Sequence, residues 1–75
     1  MTLENFIEKF AEEFDETPAS EFQANTDYKD LEEWNSLTAL SIIAMVDDAF
    51  DKTITGADLR SNNTIEDLYN FIQAL

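Results

Sequence analysis

The sequence predicts an all-α fold: a small four-helix bundle of three principal helices and one short helix, with a long loop between the first and second. Three observations predict it. Apolar residues recur at three- and four-residue steps in three separate stretches, the spacing of a single helical stripe. No stretch alternates apolar and polar residues as a half-buried strand does. The chain has 75 residues, 44% of them apolar, with six Phe. That is enough for one modest core, and hence one domain over residues 1–75.

The first stretch opens at Thr2, a residue type that caps helix N-termini. Leu3, Phe6, Ile7, Phe10 and Phe14 then form one stripe, with Glu4, Glu8, Glu12 and Glu13 mostly off it. The pattern stops near Asp15 to Thr17, and Pro18 has no N–H with which to continue a helix. Residues 18–35 read as a long polar connection, pinned onto the helices by Phe22, Tyr28, Leu31 and Trp34. A short helical turn fits within 19–24.

The second helix is expected from Ser36 to Phe50. At about 100° per residue, Ala39, Ile43, Val46 and Phe50 share a face assigned to the core, with Ile42 at its edge. A second stripe holds Leu37, Leu40, Ser41, Ala44 and Asp48, and is too apolar for an ordinary solvated face. Either Leu40 packs inward and the rest are scattered surface apolars, or the stripe is a partner-docking face rimmed by Asp47, Asp48 and Asp51. Pattern alone leaves both open. Beyond Phe50, Ile54 and Leu59 anchor a connection in which Gly56 permits a turn and residues 57–60 make a one-turn helix. Thr64-Ile65-Glu66-Asp67 is a helix start signal. Ile65, Leu68, Tyr69 and Ile72 follow on one stripe, with Phe71 and Leu75 near it.

Composition excludes several functions. Seventeen acidic residues against four basic ones give a net charge of −13. Such a surface repels nucleic acid and anionic membranes, and attracts basic protein patches; it also keeps a small monomer in solution. The chain has no Cys, so it forms no disulfide and brings no thiol of its own. With no signal peptide and no apolar run of membrane-spanning length, it reads as cytoplasmic. The sequon Asn62-Asn63-Thr64 is then a coincidence. Enzymatic activity is not expected. A nucleophilic serine needs a base, and there is no His; Lys29 is the nearest Lys to Ser36. No metal is expected either. Zinc has no His or Cys ligands, and Asp47, Asp48 and Asp51 lack the spacing and Gly of a calcium loop. One Gly in the whole chain excludes a Gly-rich phosphate loop.

Ser36 stands where the long loop meets the second helix. It caps the helix there, or Asn35 caps it one residue earlier. A helix N-terminus also favours a phosphate electrostatically. A serine so placed is accessible to another enzyme that attaches a phosphate-linked group.

These residues together resemble the acyl carrier proteins, over essentially the whole chain. That family is small, acidic and helical, with Asp-Ser-Leu at the start of the second helix. Here Asn35-Ser36-Leu37 stands at that place, followed by "TALSIIAMVDDAFD" and, downstream, Ile54, Asp58 and "TIEDLYNFI". The resemblance implies that Ser36 carries 4′-phosphopantetheine, received from coenzyme A through a phosphopantetheinyl transferase. The arm's thiol would hold acyl groups as thioesters for acyl-transfer and ketosynthase-type enzymes with basic docking patches, in fatty-acid, polyketide-like or cell-envelope biosynthesis. It further implies docking through Asn35, Leu37, Leu40, Ser41, Ala44, Asp47 and Asp48. An apolar cavity for the acyl chain would be lined by Ile7, Phe10, Ile43, Val46, Leu59, Leu68 and Ile72. Asn35 in place of Asp, with the bulky Trp34 before it, points to a specialised carrier rather than a housekeeping one. Two readings without the arm stand beside this one: an acidic helical adaptor that binds a basic partner, and a nucleic-acid mimic.

Overall fold

The structure, a computed structural model, describes residues 2–75. Four helices follow one another: α1 (Leu3–Glu12), α2 (Ser36–Phe50), α3 (Gly56–Ser61) and α4 (Ile65–Gln73). Two 3₁₀ turns, Ala19–Glu21 and Tyr28–Asp30, shape the long loop between α1 and α2. The first was expected; the second was not. Helix α1 packs against α4 and α2, and α2 packs against α3.

Local chemistry sets the helix ends. The Thr2 side chain accepts the Asn5 N–H and opens α1. Thr55 with Asp58, and Thr64 with Asp67, form reciprocal capping boxes at α3 and α4. At the far end of α4, the Lys52 ammonium donates to the carbonyls of Ile72 (3.2 Å) and Leu75 (3.0 Å). That places a cation on the negative end of the helix.

Among the described residues, twelve form the core: Phe6, Phe10, Phe14, Phe22, Tyr28, Ile42, Val46, Ile54, Leu59, Ile65, Leu68 and Ile72. Phe10 is its centre, with the rings of Phe6, Phe14, Phe22, Tyr28 and Trp34 at centroid distances of 5.6–6.5 Å. Phe22 and Tyr28 are buried, and Leu31 and Trp34 pack partly buried against the core, so all four expected pins hold the loop. Its backbone is tied as well. Ile65 N–H donates to Thr26 C=O (3.1 Å) and Glu66 N–H to Ala24 C=O (3.0 Å), which satisfies free donors at the start of α4.

Two expectations need correction. On α2 the buried residues are Ile42 and Val46, while Ala39, Ile43 and Phe50 are only partly buried. Ile42 is the centre of the inward arc rather than its edge. The helix packs against both α1 and α3, and apolar residues all round it leave the stripe without a sharp direction. Gly56 makes no turn: it is the first residue of α3, and its φ is not positive.

Candidate functional site

Helix α2 starts without help from the Ser36 side chain. Asn35, with extended backbone, is the N-cap, and its Oδ1 accepts the N–H of Leu37 (2.8 Å) and Thr38 (3.0 Å). The Thr38 Oγ1 completes a capping box by accepting the Asn35 N–H at 2.9 Å, and it donates to the Glu33 carbonyl at 3.0 Å. Ser36 is therefore the first helical residue. It is exposed, and its hydroxyl has no hydrogen-bond partner among the described residues.

The preceding corner is fixed separately. The Glu33 carboxylate accepts the Glu16 N–H (3.0 Å) and the Thr17 hydroxyl, tying the approach to α2 to the end of α1. The Thr17 bond, which favours the ionised form, holds the Glu33 carboxyl below its usual range. Trp34 follows, its ring against Tyr28 at 4.9 Å and Phe10 at 6.5 Å.

Ser36 opens onto a groove of about 250 Å³ between the second 3₁₀ turn, α2 and α3. Trp34, Ala39, Gly56 and Leu59 supply its apolar surface, and Asn35, Ser36, Lys29 and Arg60 its polar lining. The wall is held from below by Tyr28, whose hydroxyl reaches the carbonyls of Leu59 (2.5 Å) and Asn62 (3.0 Å). Burial, with Asp27 and Asp67 nearby, pushes the Tyr28 phenol well above its usual pKa. The Lys29 ammonium donates to the Arg60 carbonyl (3.0 Å) and to Asn63 Oδ1 (3.1 Å).

The proposed docking residues share the outer side of α2. Leu37 is 73% exposed and Leu40 62%, so Leu40 does not pack inward. Asn35, Ala44, Asp47 and Asp48 are exposed. Ser41 is half-buried, its hydroxyl donating to the Leu37 carbonyl at 3.2 Å. Ser41, Ala44 and Asp48 also line a second groove, shared with Lys9, Glu12 and Glu13 of the α1 side.

The seven residues expected to line an acyl cavity are less united. Phe10, Val46, Leu59, Leu68 and Ile72 belong to the close-packed core; Ile7 and Ile43 are partly buried against it. Leu59 alone among them lines the groove beside Ser36. Among the described residues, no group of three or more acidic side chains is placed to hold a metal ion. None of the described helices is long and apolar enough to cross a membrane.

A family model, the phosphopantetheine attachment site, matches residues 5–72. The chain belongs to that family. No curated protein and no solved structure gives a significant match to it. Domains of this family are non-catalytic carriers that hold 4′-phosphopantetheine covalently and work with transferases and biosynthetic enzymes. The protein is thus a phosphopantetheine-carrying carrier protein, which sets aside the adaptor and mimic readings. The Ser36 corner fits the group: an exposed, unbonded hydroxyl at the mouth of an open groove.

Lys29, Arg60 and Thr38 were missed as site residues. Asn-x-x-Thr was readable as a cap pattern. Nothing in the sequence brings Arg60 to Ser36; the α2–α3 packing does.

Proposed function

We propose that Ser36 is the attachment residue, and that the protein is an acyl carrier serving fatty-acid, polyketide-like or cell-envelope biosynthesis in the cytoplasm. One observation carries the choice of residue. Asn35 takes over the capping of α2, and the Ser36 hydroxyl is left exposed and without a partner. A side chain with no structural task at a helix start is free to be modified. The arm supplies the thiol that this Cys-free chain lacks, and holds acyl groups there as thioesters. Ser36 supplies the bridging oxygen. Its proton leaves to a base of the transferase, because no side chain among the described residues hydrogen-bonds the hydroxyl.

Docking is assigned to the outer side of α2. Exposed leucines scattered singly are ordinary; here Leu37 and Leu40 adjoin the N-cap Asn35 and Ser41, Ala44, Asp47 and Asp48 of the same helix. An apolar patch rimmed by acids suits an enzyme surface with an apolar contact inside a basic rim. Acyl-transfer and ketosynthase-type enzymes with basic docking patches are the partners, and the carrier acts as a monomer. Shelter for the acyl chain is assigned to the core through Leu59, which belongs both to the groove beside Ser36 and to the core that holds Phe10, Val46, Leu68 and Ile72, with Ile7 and Ile43 at its margin. Rings around Phe10 occupy that space, so a long chain has to displace them. Asn35 and Trp34 favour a specialised pathway.

The test is intact mass after incubation with coenzyme A, magnesium and a promiscuous transferase. One phosphopantetheinyl group should be gained by the wild type and none by Ser36→Ala. Because the hydroxyl caps nothing, Ser36→Ala should keep the wild-type melting temperature. A wild type that stays unmodified with several transferases, or a modified Ser36→Ala, would refute the assignment.

A further inference from the structure

The chain has four basic residues against seventeen acidic ones, and two of the four, Lys29 and Arg60, line the groove beside Ser36. The other two lie elsewhere: Lys9 lines the groove shared by α1 and α2, and Lys52 bonds the end of α4. The Lys29 and Arg60 side chains come from different elements, the second 3₁₀ turn and α3. Tyr28 holds those two elements together. An ordinary solvated surface of net charge −13 does not gather its cations around one hydroxyl.

Both cations have capacity to spare. The Lys29 ammonium has three protons, of which two are taken by the Arg60 carbonyl and Asn63. The Arg60 guanidinium has no hydrogen-bond or ion-pair partner among the described residues. It lies over Gly56, where an added Cβ would meet Nη1 at 3.3 Å. Glycine at that position leaves the guanidinium room within the groove. Meanwhile the N–H groups of Leu37 and Thr38, which a phosphate on Ser36 would otherwise take, are already bonded to Asn35. A phosphate there must find its positive partners among side chains.

We infer that Lys29 and Arg60 seat the phosphodiester of the arm, so that the loaded arm leaves Ser36 along the groove toward α3 and not across the Leu37/Leu40 face. This rests on Ser36 being the attachment residue. Its consequence is a separation of charges: the anionic root of the arm is neutralised in the groove, and the docking face keeps its own apolar and acidic character for partners.

Trp34 is the protein's single tryptophan and lines the same groove, so it reports on the arm directly. The experiment compares apo and loaded protein, with loading verified by intact mass, for wild type, Arg60→Gln, Arg60→Lys and the double variant Lys29→Gln/Arg60→Gln. The readout is quenching of Trp34 fluorescence by the neutral quencher acrylamide. Loading should reduce quenching in the wild type and in Arg60→Lys. The protection should weaken in Arg60→Gln and be lost in the double variant. It should also be lost in about 1 M salt, where charges are screened within roughly 3 Å. Arg60→Gln removes no side-chain hydrogen bond among the described residues, so it reads the seat with the fold intact. The apo double variant, which also loses the Lys29 bonds to the Arg60 carbonyl and Asn63, is checked against apo wild type for unchanged quenching and melting temperature. Loaded wild type quenched like apo protein, or a loaded double variant that stays protected, would overturn the seat while leaving Ser36 as the attachment residue. Failure of the wild type to load would remove both.

Discussion

Replacing Tyr28 with Phe removes one oxygen from the centre of the molecule and tests what holds the groove wall. The phenol is buried, and its hydroxyl reaches the carbonyls of Leu59 (2.5 Å) and Asn62 (3.0 Å) at the end of α3. Its single proton serves one of them at a time. Without it, two buried or half-buried acceptors lose a donor that water replaces poorly. Leaving a buried polar group unsatisfied costs about 1–3 kcal/mol. In a domain of this size each kcal/mol lowers the melting temperature by roughly 4–8 °C.

The same substitution has a signature in pH. Burial, then Asp27 and Asp67, raise the folded-state pKa of Tyr28 above the usual value of 10.0. The native state therefore keeps its phenolic proton when the unfolded state has begun to lose it. The stability from this group is fully present below the unfolded pKa and is lost as pH rises toward the folded one. Over that window the loss is about 1.4 kcal/mol per pH unit. Tyr28→Phe has no such proton to lose. Urea unfolding followed by Trp34 fluorescence, from neutral pH to about pH 11, should find the variant less stable at neutrality and the two proteins converging above about pH 10. Every other ionisable group is common to both proteins, so the difference isolates Tyr28. Parallel stability curves across that range would refute the assignment of a buried, hydrogen-bonded phenol.

Three other outcomes are expected. Leu59→Ala removes a core side chain that also lines the Ser36 groove, and should cost about 2–5 kcal/mol by urea unfolding. Asp47→Lys with Asp48→Lys should raise stability by roughly 0.3–1 kcal/mol per charge favourably placed at the end of α2, while slowing association with a basic partner enzyme in stopped-flow; unchanged association would remove docking from this face. Asn35→Asp should keep stability within a few tenths of a kcal/mol, since both are good caps. The added charge should speed a general, basic transferase by about tenfold at low salt, because charged hydrogen bonds are roughly twice as strong as neutral ones; equal rates would mean that Asn35 already makes the contact.

Helices with one wet and one dry side were readable from spacing alone. Phe6 and Phe10 on α1, and Ile65, Leu68 and Ile72 on α4, are buried where the stripe put them. Helix α2 resisted the same reading. With Leu37, Leu40, Ile42, Ile43 and Val46 spread around it, the periodicity has no clear direction, and only packing distinguishes buried Ile42 from exposed Leu40. Thr55-x-x-Asp58 carried the same start signal as Thr64-x-x-Asp67, and went unread because a six-residue helix offers no stripe to support it. The loop residues Phe22, Tyr28 and Trp34 were legible as pins, since large aromatics in a polar stretch have little reason to be elsewhere. What Tyr28 grips was not legible, because its partners are the backbone carbonyls of a distant segment. For the site the division is similar. Ser36 follows from position and motif. The Lys29 and Arg60 pair follows only from the packing of α3 against the second 3₁₀ turn, with α2 alongside.

Charge at the helix ends separates what the fold needs from what function needs. Glu4 in α1, Asp58 in α3, and Glu66 and Asp67 in α4 place acids in the first turn, where the helix dipole favours them. Helix α2 has none there, even in a chain with seventeen acids. Its acids sit at the opposite end: Asp47 and Asp48 in the last turn and Asp51 at the C-cap in left-handed backbone, with no base among them. Each such charge opposes the dipole at a cost of about 0.3–1 kcal/mol. Folding alone would reverse this pattern, as Lys52 at the end of α4 illustrates. On the proposed function, a phosphodiester on Ser36 would supply the negative charge that the start of α2 lacks, and a basic partner would supply the positive charge that its end lacks. The helix is poorly matched to itself as an isolated element, and the proposed modification and docking would correct the mismatch at each end.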